Sequence, residues 1–583
     1  MTIHLGHYWR LLRLYLRPHW PRAGVLAALL CAAIALELLS PQLLRGFIDG
    51  ARAGVGEGIL IGTAALFMLV ALGGGIVTVV ETYVAESLGW TATNRLRADL
   101  ALHLLRLDLS FHHAHTPGEL IERLDGDVTA LANFFSRFVV YVVGNVVLLA
   151  GVVALLWRED AGIGLETALF AVAILVAMTR LYALARPVWA ALDGANALFY
   201  GFLGERLVAT EDIRSCGAVA YTLLRLSGCL RALLPLQLKA TLLGQLVWVA
   251  ALNLSALATA GALAIGTLLV DHHAATVGTV LLVFQYTDLL VRPIAQLQAQ
   301  IQDLQLAGAA IGRIEDLFAT RSRLPDGPGT PIPPGPLAVE VDGVSFRYDE
   351  DESAPVLHDI TLRLDPGAVL GVLGRSGSGK TTLGRLLLRL ADPSVGTVRL
   401  GGTDPRAARL DEVRRRVGLV TQEVQLFAAS VRDNLTFFNR DIADEALLAA
   451  IAELGLGEWY ARLPDGLDTP LGPGGRGLSG GEAQLLAFVR VLLRDPGLVI
   501  LDEASSRLDP ATERLIDHAV ARLLRGRTGV IIAHRLATVE RADTIAVLDA
   551  GRVVECGPRV ALARDPDSSY YRLLHAEHQE IPS

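Results

Sequence analysis

Six long apolar stretches constrain this 583-residue chain more than any other feature. A helix that crosses a bilayer needs about 20 predominantly apolar residues. Six segments meet or approach that length, at approximately residues 23–45, 59–83, 138–157, 162–184, 240–268 and 275–297. The hydrophobic share of the whole chain, 52%, also exceeds that of ordinary soluble domains. The sequence therefore predicts a polytopic α-helical membrane domain of six spans in a lipid bilayer.

The connections between these spans differ in length and charge. Those after the first, third and fifth spans are short, whereas residues 84–137 and 185–239 form two long, helix-forming connections. Arginines gather on the side of the long connections, which the positive-inside tendency assigns to the cytoplasm. They are Arg10, Arg13, Arg17, Arg22, Arg95, Arg97, Arg106, Arg123 and Arg137. We expect a multi-pass protein of the inner (plasma) membrane with both termini in the cytoplasm and helices that extend beyond the bilayer.

Charge and cysteine content exclude some functions. A net charge of -8 argues against a nucleic-acid partner, because the average surface would repel a polyanion. The four cysteines form no CxxC pair, so they indicate neither a zinc site nor a disulfide framework.

A proline-rich segment, RSRLPDGPGTPIPPGPLA at residues 321–338, separates two halves of different character. Six prolines make it unsuitable for a helix or a central strand, so we expect a stiff linker. We place the membrane domain at residues 1–318, the linker at 319–337 and a soluble domain at 338–583. In the last part, apolar runs such as AVLGVLG, LVILDEA and GVIIAHR alternate with helical stretches. That alternation predicts an α/β domain with a largely parallel sheet.

The stretch GRSGSGKT at residues 374–381 matches the phosphate-binding pattern GxxxxGK[ST] and lies between an apolar strand and a helical segment. Backbone amides of such a loop and the following helix N-terminus bind phosphate oxygens, the lysine reaches the β- and γ-phosphates, and the Thr381 hydroxyl binds Mg²⁺. The chain has only one other lysine, Lys239, which makes a compact ammonium at this position informative. The candidate binding residues are Gly374, Ser376, Gly377, Gly379, Lys380, Thr381 and Thr382.

A buried strand at Leu498–Leu501 leads into two acids, Asp502 and Glu503. One carboxylate at such a strand end can face the Mg²⁺ shell, while the next orients or deprotonates the attacking water. We therefore assign Asp502 to the metal and Glu503 to general-base catalysis.

The segment GLSGGEAQ at residues 477–484 precedes LVILDEASSRLDP by about 20 residues, and with this arrangement the chain resembles the ATP-binding cassette (ABC) transporters. The resemblance covers nearly the whole chain. It implies an ABC-type P-loop domain in which Ser479, Gly480 and Gly481 bind the γ-phosphate of ATP held by an opposite subunit.

The same resemblance implies roles for four further positions. Tyr348 would stack on adenine, and Gln422 would contact Mg²⁺ and couple to the membrane half. Asp509 would lie in the loop that links two ATP sites, and His534 would be a catalytic switch on the γ-phosphate. The Mg²⁺ ligands would then be Thr381, Gln422 and Asp502, partly through water.

A membrane domain fused ahead of the cassette is typical of the family's exporters. Residues 115–128 resemble a coupling-helix region, and residues 204–214 would supply a second one for a partner's cassette. The implied function is ATP-driven export of a small-molecule, lipid or peptide-like substrate by alternating access, with a second half-transporter chain. Two alternatives remain. The chain could have the exporter fold but import a siderophore-like substrate, or it could be a regulatory subunit that does not pump.

Two positions depart from the family pattern. Glu482 replaces the more common glutamine and adds negative charge near a triphosphate, and Pro473 replaces a glutamate that contacts the inner loops. Either departure would suit one half of an asymmetric heterodimer with two unequal ATP sites, which we favour over a homodimer; alternatively, both are harmless variation.

Three acids, Glu37, Glu81 and Asp288, lie within or near the spans. Acids in a membrane are costly enough to be functional candidates. Facing a shared cavity they would suit a cationic or amphipathic substrate; alternatively, they pair with polar groups or lie at span edges. Trp248, Gln285 and Tyr286 are candidates for the same cavity.

Overall fold

The computed structural model describes residues 15, 17–271, 276–348, 355–475, 477–502, 510–533 and 536–579. The chain forms two compact units. Met1–Leu105 and Pro117–Thr320 form the helical unit, and Arg106–Thr116 with Arg321–Ser583 form the α/β unit.

The helical unit is built from long helices at Trp20–Arg52, Glu57–Arg106, Gly144–Glu159, Ala161–Val208, Val219–Asp271, Val277–Leu289 and Val291–Ala319. Shorter helical segments lie at Arg17–His19, Pro117–Ile121, Glu122–Asp127, Val128–Arg137, Phe138–Val143 and Thr210–Ser215. Among the described residues, five helices are long and apolar enough to cross a membrane. They correspond to the first five predicted spans.

The sixth predicted span is shorter than expected. Its apolar helix, Val277–Leu289, has 13 residues and is followed after Leu290 by the separate helix Val291–Ala319. Pro293 explains the interruption, because it has no N–H to donate to the carbonyl of Leu289. The first residue of the predicted span, Ala275, lies outside the described residues.

The two long connections are helical, as the sequence predicts. Glu57–Arg106 has 50 residues and Ala161–Val208 has 48. At 1.5 Å per residue, a 50-residue helix is about 75 Å long, more than twice the roughly 30 Å of a hydrocarbon core. These helices therefore reach well beyond any bilayer that contains their apolar parts.

The described residues of the α/β unit form nine strands: β1 Val339–Phe346, β2 Leu357–Leu364, β3 Val369–Gly374, β4 Val395–Leu400, β5 Val417–Val420, β6 Leu498–Asp502, β7 Thr528–Ile532, β8 Thr544–Asp549 and β9 Arg552–Pro558. Three of them form an antiparallel sheet in the order β2-β1-β4, and six form a second sheet in the order β5-β6-β7-β3-β8-β9. In the larger sheet only β9 is antiparallel to its neighbour. The prediction of a largely parallel α/β domain is confirmed.

The helices of this unit are Leu109–Ala114, Lys380–Leu387, Leu410–Arg416, Val431–Thr436, Asp444–Glu453, Gly457–Ala461, Gly480–Leu492, Pro510–Leu524, Arg559–Leu562 and Ser569–Gln579. Single 3₁₀ turns lie at Gly466–Asp468, Pro473–Gly475 and Leu536–Val539.

Both faces of the larger sheet are buried at β6, which explains the continuous apolar run of that strand. On β6, Leu498 and Ile500 belong to one hydrophobic cluster, and Val499 and Leu501 belong to another. Successive side chains of a strand point to opposite faces, so a strand covered on both faces is apolar at every position. The polar Asp502 lies at the end of this strand, where the side chains are no longer fully buried.

The proline-rich segment has no helix or strand, but it packs onto the α/β unit and is not a free spacer. Ile332 and Leu337 are fully buried there. Arg389 holds the segment's start: its Nη2 donates to the carbonyl of Pro325 at 2.9 Å, while its Nε donates to Asp392 Oδ1 at 3.0 Å. Burial of Arg389 with these partners anchors the segment, which composition alone does not reveal.

A short piece of the first long connection belongs to the α/β unit. Asp108 caps the helix Leu109–Ala114 by accepting hydrogen bonds from the backbone N–H groups of Ser110 and Phe111, and it also accepts one from Arg323 N at 2.6 Å. Burial acts to raise the pKa of Asp108, but the hydrogen bonds from Ser110, Arg323 and Phe111 hold that pKa below its usual value. The short helix ends just before the stretch 115–128 that we predicted as the coupling region, most of which lies in the helical unit.

Candidate functional site

The phosphate-binding loop connects β3 to the helix Lys380–Leu387 through glycines that no other residue could replace without strain. Gly374 has φ +148°, and a Cβ there would meet the carbonyl oxygen of Leu548 at 2.1 Å. Gly379 has φ +99°, and its Cβ would meet the side chain of Leu357 at 2.5 Å. Glycines with such φ values allow a loop to present its backbone amides to a phosphate at a helix N-terminus.

Lys380 is folded over this loop. Its side chain is buried, with 4% of the residue exposed, and its Nζ donates to the carbonyl oxygens of Gly374 at 2.8 Å and Arg375 at 2.9 Å. The ammonium is thus held at the centre of the loop, next to exposed Ser376 and Gly377.

The residues predicted to bind Mg²⁺ gather at the carboxyl edge of the larger sheet. Thr381 Oγ1 donates to Asp502 Oδ1 at 3.4 Å. Gln422 is exposed two residues beyond β5, and β5 pairs in parallel with β6, which ends at Asp502. A hydroxyl, a carboxylate and an amide oxygen are hard ligands of the kind that Mg²⁺ takes together with phosphate oxygens and water. The residues present therefore fit the metal.

Tyr348 packs against the helix that follows the phosphate loop. Its hydroxyl lies 2.9 Å from Thr382 Oγ1 and accepts a hydrogen bond from Arg385 Nη1 at 3.2 Å. Its ring meets that of Phe346 edge-on, with centroids 4.9 Å apart. The structure thus places Tyr348 beside the helix that follows the phosphate loop, and its role in binding adenine stays a prediction.

The signature segment, GLSGGEAQ at residues 477–484, begins the helix Gly480–Leu492, and Glu482 caps the N-terminus of this helix. Ser479 Oγ accepts from Glu482 N at 3.3 Å, and Glu482 Oε2 accepts from Ser479 N at 2.8 Å, so the two residues form a capping box. Because the carboxylate is turned back to the helix start, its negative charge is partly balanced by the backbone N–H groups.

Ser479 and Gly480 are exposed, and Gly481 is buried in the helix start. Within the described part of the chain, the hydrogen bonds of Ser479 stay in its own helix start and do not reach the phosphate loop. The preceding turn contains Pro473, followed by Gly474 and Gly475 with φ of +66° and +80°. Pro473 thus begins a tight turn that leads to the signature segment.

Arg490 is a residue that sequence reasoning missed. It lies buried in the signature helix, where its Nε donates to the carbonyl of Asn434 at 2.6 Å and its Nη1 donates to the carbonyl of Gln425 at 2.9 Å. Burial, followed by the neighbouring Arg494, lowers the pKa of Arg490 to about 10, so it stays charged at physiological pH. It joins the signature helix to the segment that follows Gln422. The sequence did contain a signal for this residue, because a single arginine within the apolar run LLAFVRVLL indicates a buried charge that needs partners.

A cavity of about 680 Å³ lies within the helical unit, and Glu37, Glu81 and Asp288 all line it. Gln285 lines it too, as we expected. Tyr286 does not: its hydroxyl is directed to the first helix, where it donates to the carbonyl of Leu38 at 2.8 Å. A one-residue step turns a helix by about 100°, so neighbours face different directions.

Trp248, the other aromatic candidate, is 61% exposed and is not among the cavity-lining residues. The structure therefore assigns only Gln285 of the three candidate side chains to the cavity wall.

Comparison with known proteins places the whole chain in one family. Residues 357–506 match the family "ABC transporter", and residues 24–294 match "ABC transporter transmembrane region". The ATP-dependent lipid A-core flippase of Alkalilimnicola ehrlichii is 32% identical, over 99% of this chain and 98% of that protein. The chain belongs to the ABC transporters. It is an exporter-type transporter whose ATPase activity is coupled to the movement of a substrate across a membrane.

Two further comparisons describe this ABC transporter. A multidrug efflux ATP-binding/permease protein of Mycobacterium bovis is 33% identical, with 94% of this chain aligned to 47% of that protein. A solved structure of a bacterial Atm1-family ABC exporter with ATP bound superposes with a TM-score of 0.80 at 26% identity, covering 97% of this chain and 99% of that one. The exporter-type fold predicted from the sequence is confirmed.

Three predicted site residues of the transporter, Glu503, Asp509 and His534, lie outside the described residues. β6 ends at Asp502, directly before Glu503, and β7 ends at Ile532, two residues before His534. Their assignments therefore stand on the sequence.

Proposed function

We propose that this ABC transporter exports a small-molecule, lipid or peptide-like substrate by alternating access, with ATP hydrolysed between the cassettes of two half-transporter chains. The observation that carries the proposal is the arrangement of the two nucleotide-binding segments. The phosphate loop and its acid partner, joined by Thr381 and Asp502, lie in one chain, whereas the exposed signature residue Ser479 makes no hydrogen bond to that loop within the part of the chain that the structure describes. Two chains arranged head to tail would complete each other's sites.

Each residue has a role that follows from its position. Lys380 would exchange its carbonyl partners for the β- and γ-phosphate oxygens, and the loop amides would bind the remaining oxygens. Thr381, Gln422 and Asp502 would hold Mg²⁺, which offsets phosphate charge when bound. Glu503 would orient and deprotonate water, and His534 would contact the γ-phosphate. Tyr348 would support the adenine, and Asp509 would link the two sites.

The partner is a second half-transporter chain. The capping box formed by Glu482 removes one of the two arguments for an unequal pair, because the charge that seemed out of place stabilises the signature helix. Pro473 remains as an argument for a heterodimer. A pair in which this chain meets a second copy satisfies both ATP sites with the motifs present.

Export and orientation rest on separate observations. The relatives include a lipid A-core flippase and a multidrug efflux protein, which supports export. The arginines of the two long connections support a plasma-membrane protein whose cassette lies on the cytoplasmic side. Thr210–Ser215, a short helix between two long ones, would be the coupling helix for the partner's cassette.

Cysteine cross-linking tests the proposed two-chain site. In a background with Cys31, Cys216, Cys229 and Cys556 replaced by serine, a chain carrying both Ser376→Cys and Ser479→Cys should form oxidant-induced covalent dimers that increase with ATP. Both positions are exposed in one chain, so reagent access does not limit the reaction.

Chains with only one of the two cysteines are the control and should remain monomeric on a denaturing gel. Dimers that form equally without nucleotide, or cross-links confined to one chain, would contradict the arrangement. Dimers that form only when a different chain is co-purified would identify a heterodimer.

A further inference from the structure

The cavity of the helical unit combines size, charge and aromatic surface. Its volume, about 680 Å³, falls within the roughly 300–1,000 Å³ of sites for small molecules. Three different helices contribute one acid each: Glu37 on Trp20–Arg52, Glu81 on Glu57–Arg106 and Asp288 on Val277–Leu289. Three separate segments therefore bring carboxyl groups to one space.

Glu81 distinguishes this cavity from a chance group of acids. Only 4% of the residue is exposed, and its buried Oε1 atom has no hydrogen-bond partner among the residues that the structure describes. A carboxylate withdrawn from water without a partner is costly, and the cost falls when a cation or a hydrogen-bond donor approaches. Gln285 Oε1, on another wall, is also buried and, within the described ranges, has no hydrogen-bond partner. Both oxygens accept hydrogen bonds or attract positive charge.

The remaining wall favours an organic cation over a bare metal ion. Among the described residues that line the cavity there is no arginine, lysine or histidine. Phe67, Tyr141 and Phe284 present aromatic rings, and aliphatic side chains supply most of the other surface. Aromatic faces attract cations and also bury the apolar parts of a ligand.

We propose that this cavity binds an amphipathic organic cation, with Glu81 supplying the charge that faces it. The inference rests on the proposed function, because it names the substrate class of the exporter's membrane half. The apolar body of the ligand packs against the aromatic rings, and its positive charge is placed among the three acids.

Two ions of the same size and shape but opposite charge provide the test. Tetraphenylphosphonium and tetraphenylborate are offered separately to the full-length protein in lipid nanodiscs without nucleotide, and binding is measured by equilibrium dialysis against nanodiscs of the same lipid that lack the protein. The protein should bind the cation at least about tenfold more tightly than the anion. Glu81→Gln, which removes charge and keeps shape, should weaken binding of the cation by about tenfold, equivalent to about 1.4 kcal/mol.

Two matched variants complete the design. Glu81→Asp keeps the charge and should retain most of the cation binding, which shows that loss in Glu81→Gln is not misfolding. Glu166→Gln removes an exposed glutamate that is not a cavity-lining residue, and it should change nothing.

Equal binding of the two ions, or unchanged cation binding in Glu81→Gln, would overturn the proposal. A protein that holds Glu81 protonated for a neutral ligand would give that result. Because no nucleotide is present, failure of ATP-driven transport does not affect this measurement. Specific cation binding without any ATP-driven movement would uphold the cavity and contradict the proposed function.

Discussion

Replacing Glu503 with glutamine is expected to lower steady-state ATP turnover by about 10²- to 10⁴-fold, the usual contribution of a general base. Glutamine has the same size and still accepts a hydrogen bond from water, but it cannot take the proton as water attacks the γ-phosphate. Since Lys380, Thr381 and Asp502 are untouched, ATP should still bind. Phosphate release measured under saturating ATP, together with binding of a fluorescent ATP analogue, separates the two steps.

Glu540→Gln is the matched control, because Glu540 is an exposed glutamate of the same α/β unit. It should leave turnover within about 0.5 kcal/mol of the wild type, a factor of about two. If Glu503→Gln behaved in the same way, Glu503 would not be the base, and another group would have to take the proton.

Replacing Lys380 with arginine is expected to lower ATP turnover by about 10²-fold, although the charge is kept. The Lys380 side chain is 4% exposed, and its Nζ fits between two loop carbonyls at 2.8 and 2.9 Å. A planar guanidinium is larger and needs a fork of acceptors, so it would displace the loop. Misplacement by about 1 Å is enough for a loss of this size.

The only other lysine of the chain gives the control. Lys239 is exposed on a long helix of the other unit, and Lys239→Arg should have no measurable effect on turnover. Lys380→Arg with more than half of the wild-type rate would mean that only charge matters at this position, contrary to the geometry.

Local chemistry made much of the cassette predictable. The phosphate loop needs glycines at fixed positions, so Gly374 and Gly379, between an apolar strand and a helical segment, identify it. The strand at Leu498–Leu501 is apolar at every position because the sheet is covered on both faces at this strand, and Asp502 marks its end. The first five spans were predictable for a similar reason, since the length of an apolar helix follows from the thickness of the bilayer.

Features that depend on tertiary contacts were not predictable in this way. The role of Arg490 follows from the carbonyls of Asn434 and Gln425, which are distant in sequence. The docking of the proline-rich segment depends on Arg389, and composition describes only its irregular backbone. Tyr286 was misplaced because the sequence does not show which face of its helix meets the cavity.

In two other places the structure differs from our prediction although the sequence contained the necessary signal. Ser479 and Glu482 have the S-x-x-E spacing of a capping box, so the charge of Glu482 had a local explanation that a comparison with the family pattern overlooked. Pro293, within the last predicted span, indicated that its helix would be interrupted.

ATP-driven accumulation in inside-out membrane vesicles tests the central claim most directly. Vesicles that contain the transporter are given tetraphenylphosphonium, ethidium and a fluorescent phospholipid, with ATP and Mg²⁺ outside, where the proposed orientation places the cassette. We predict that at least one probe accumulates in the lumen or the inner leaflet above its equilibrium level, and that vesicles with Glu503→Gln show no accumulation. Passage of the probes only to equilibrium, at the same rate with and without ATP, would contradict an ATP-driven exporter and indicate a gate.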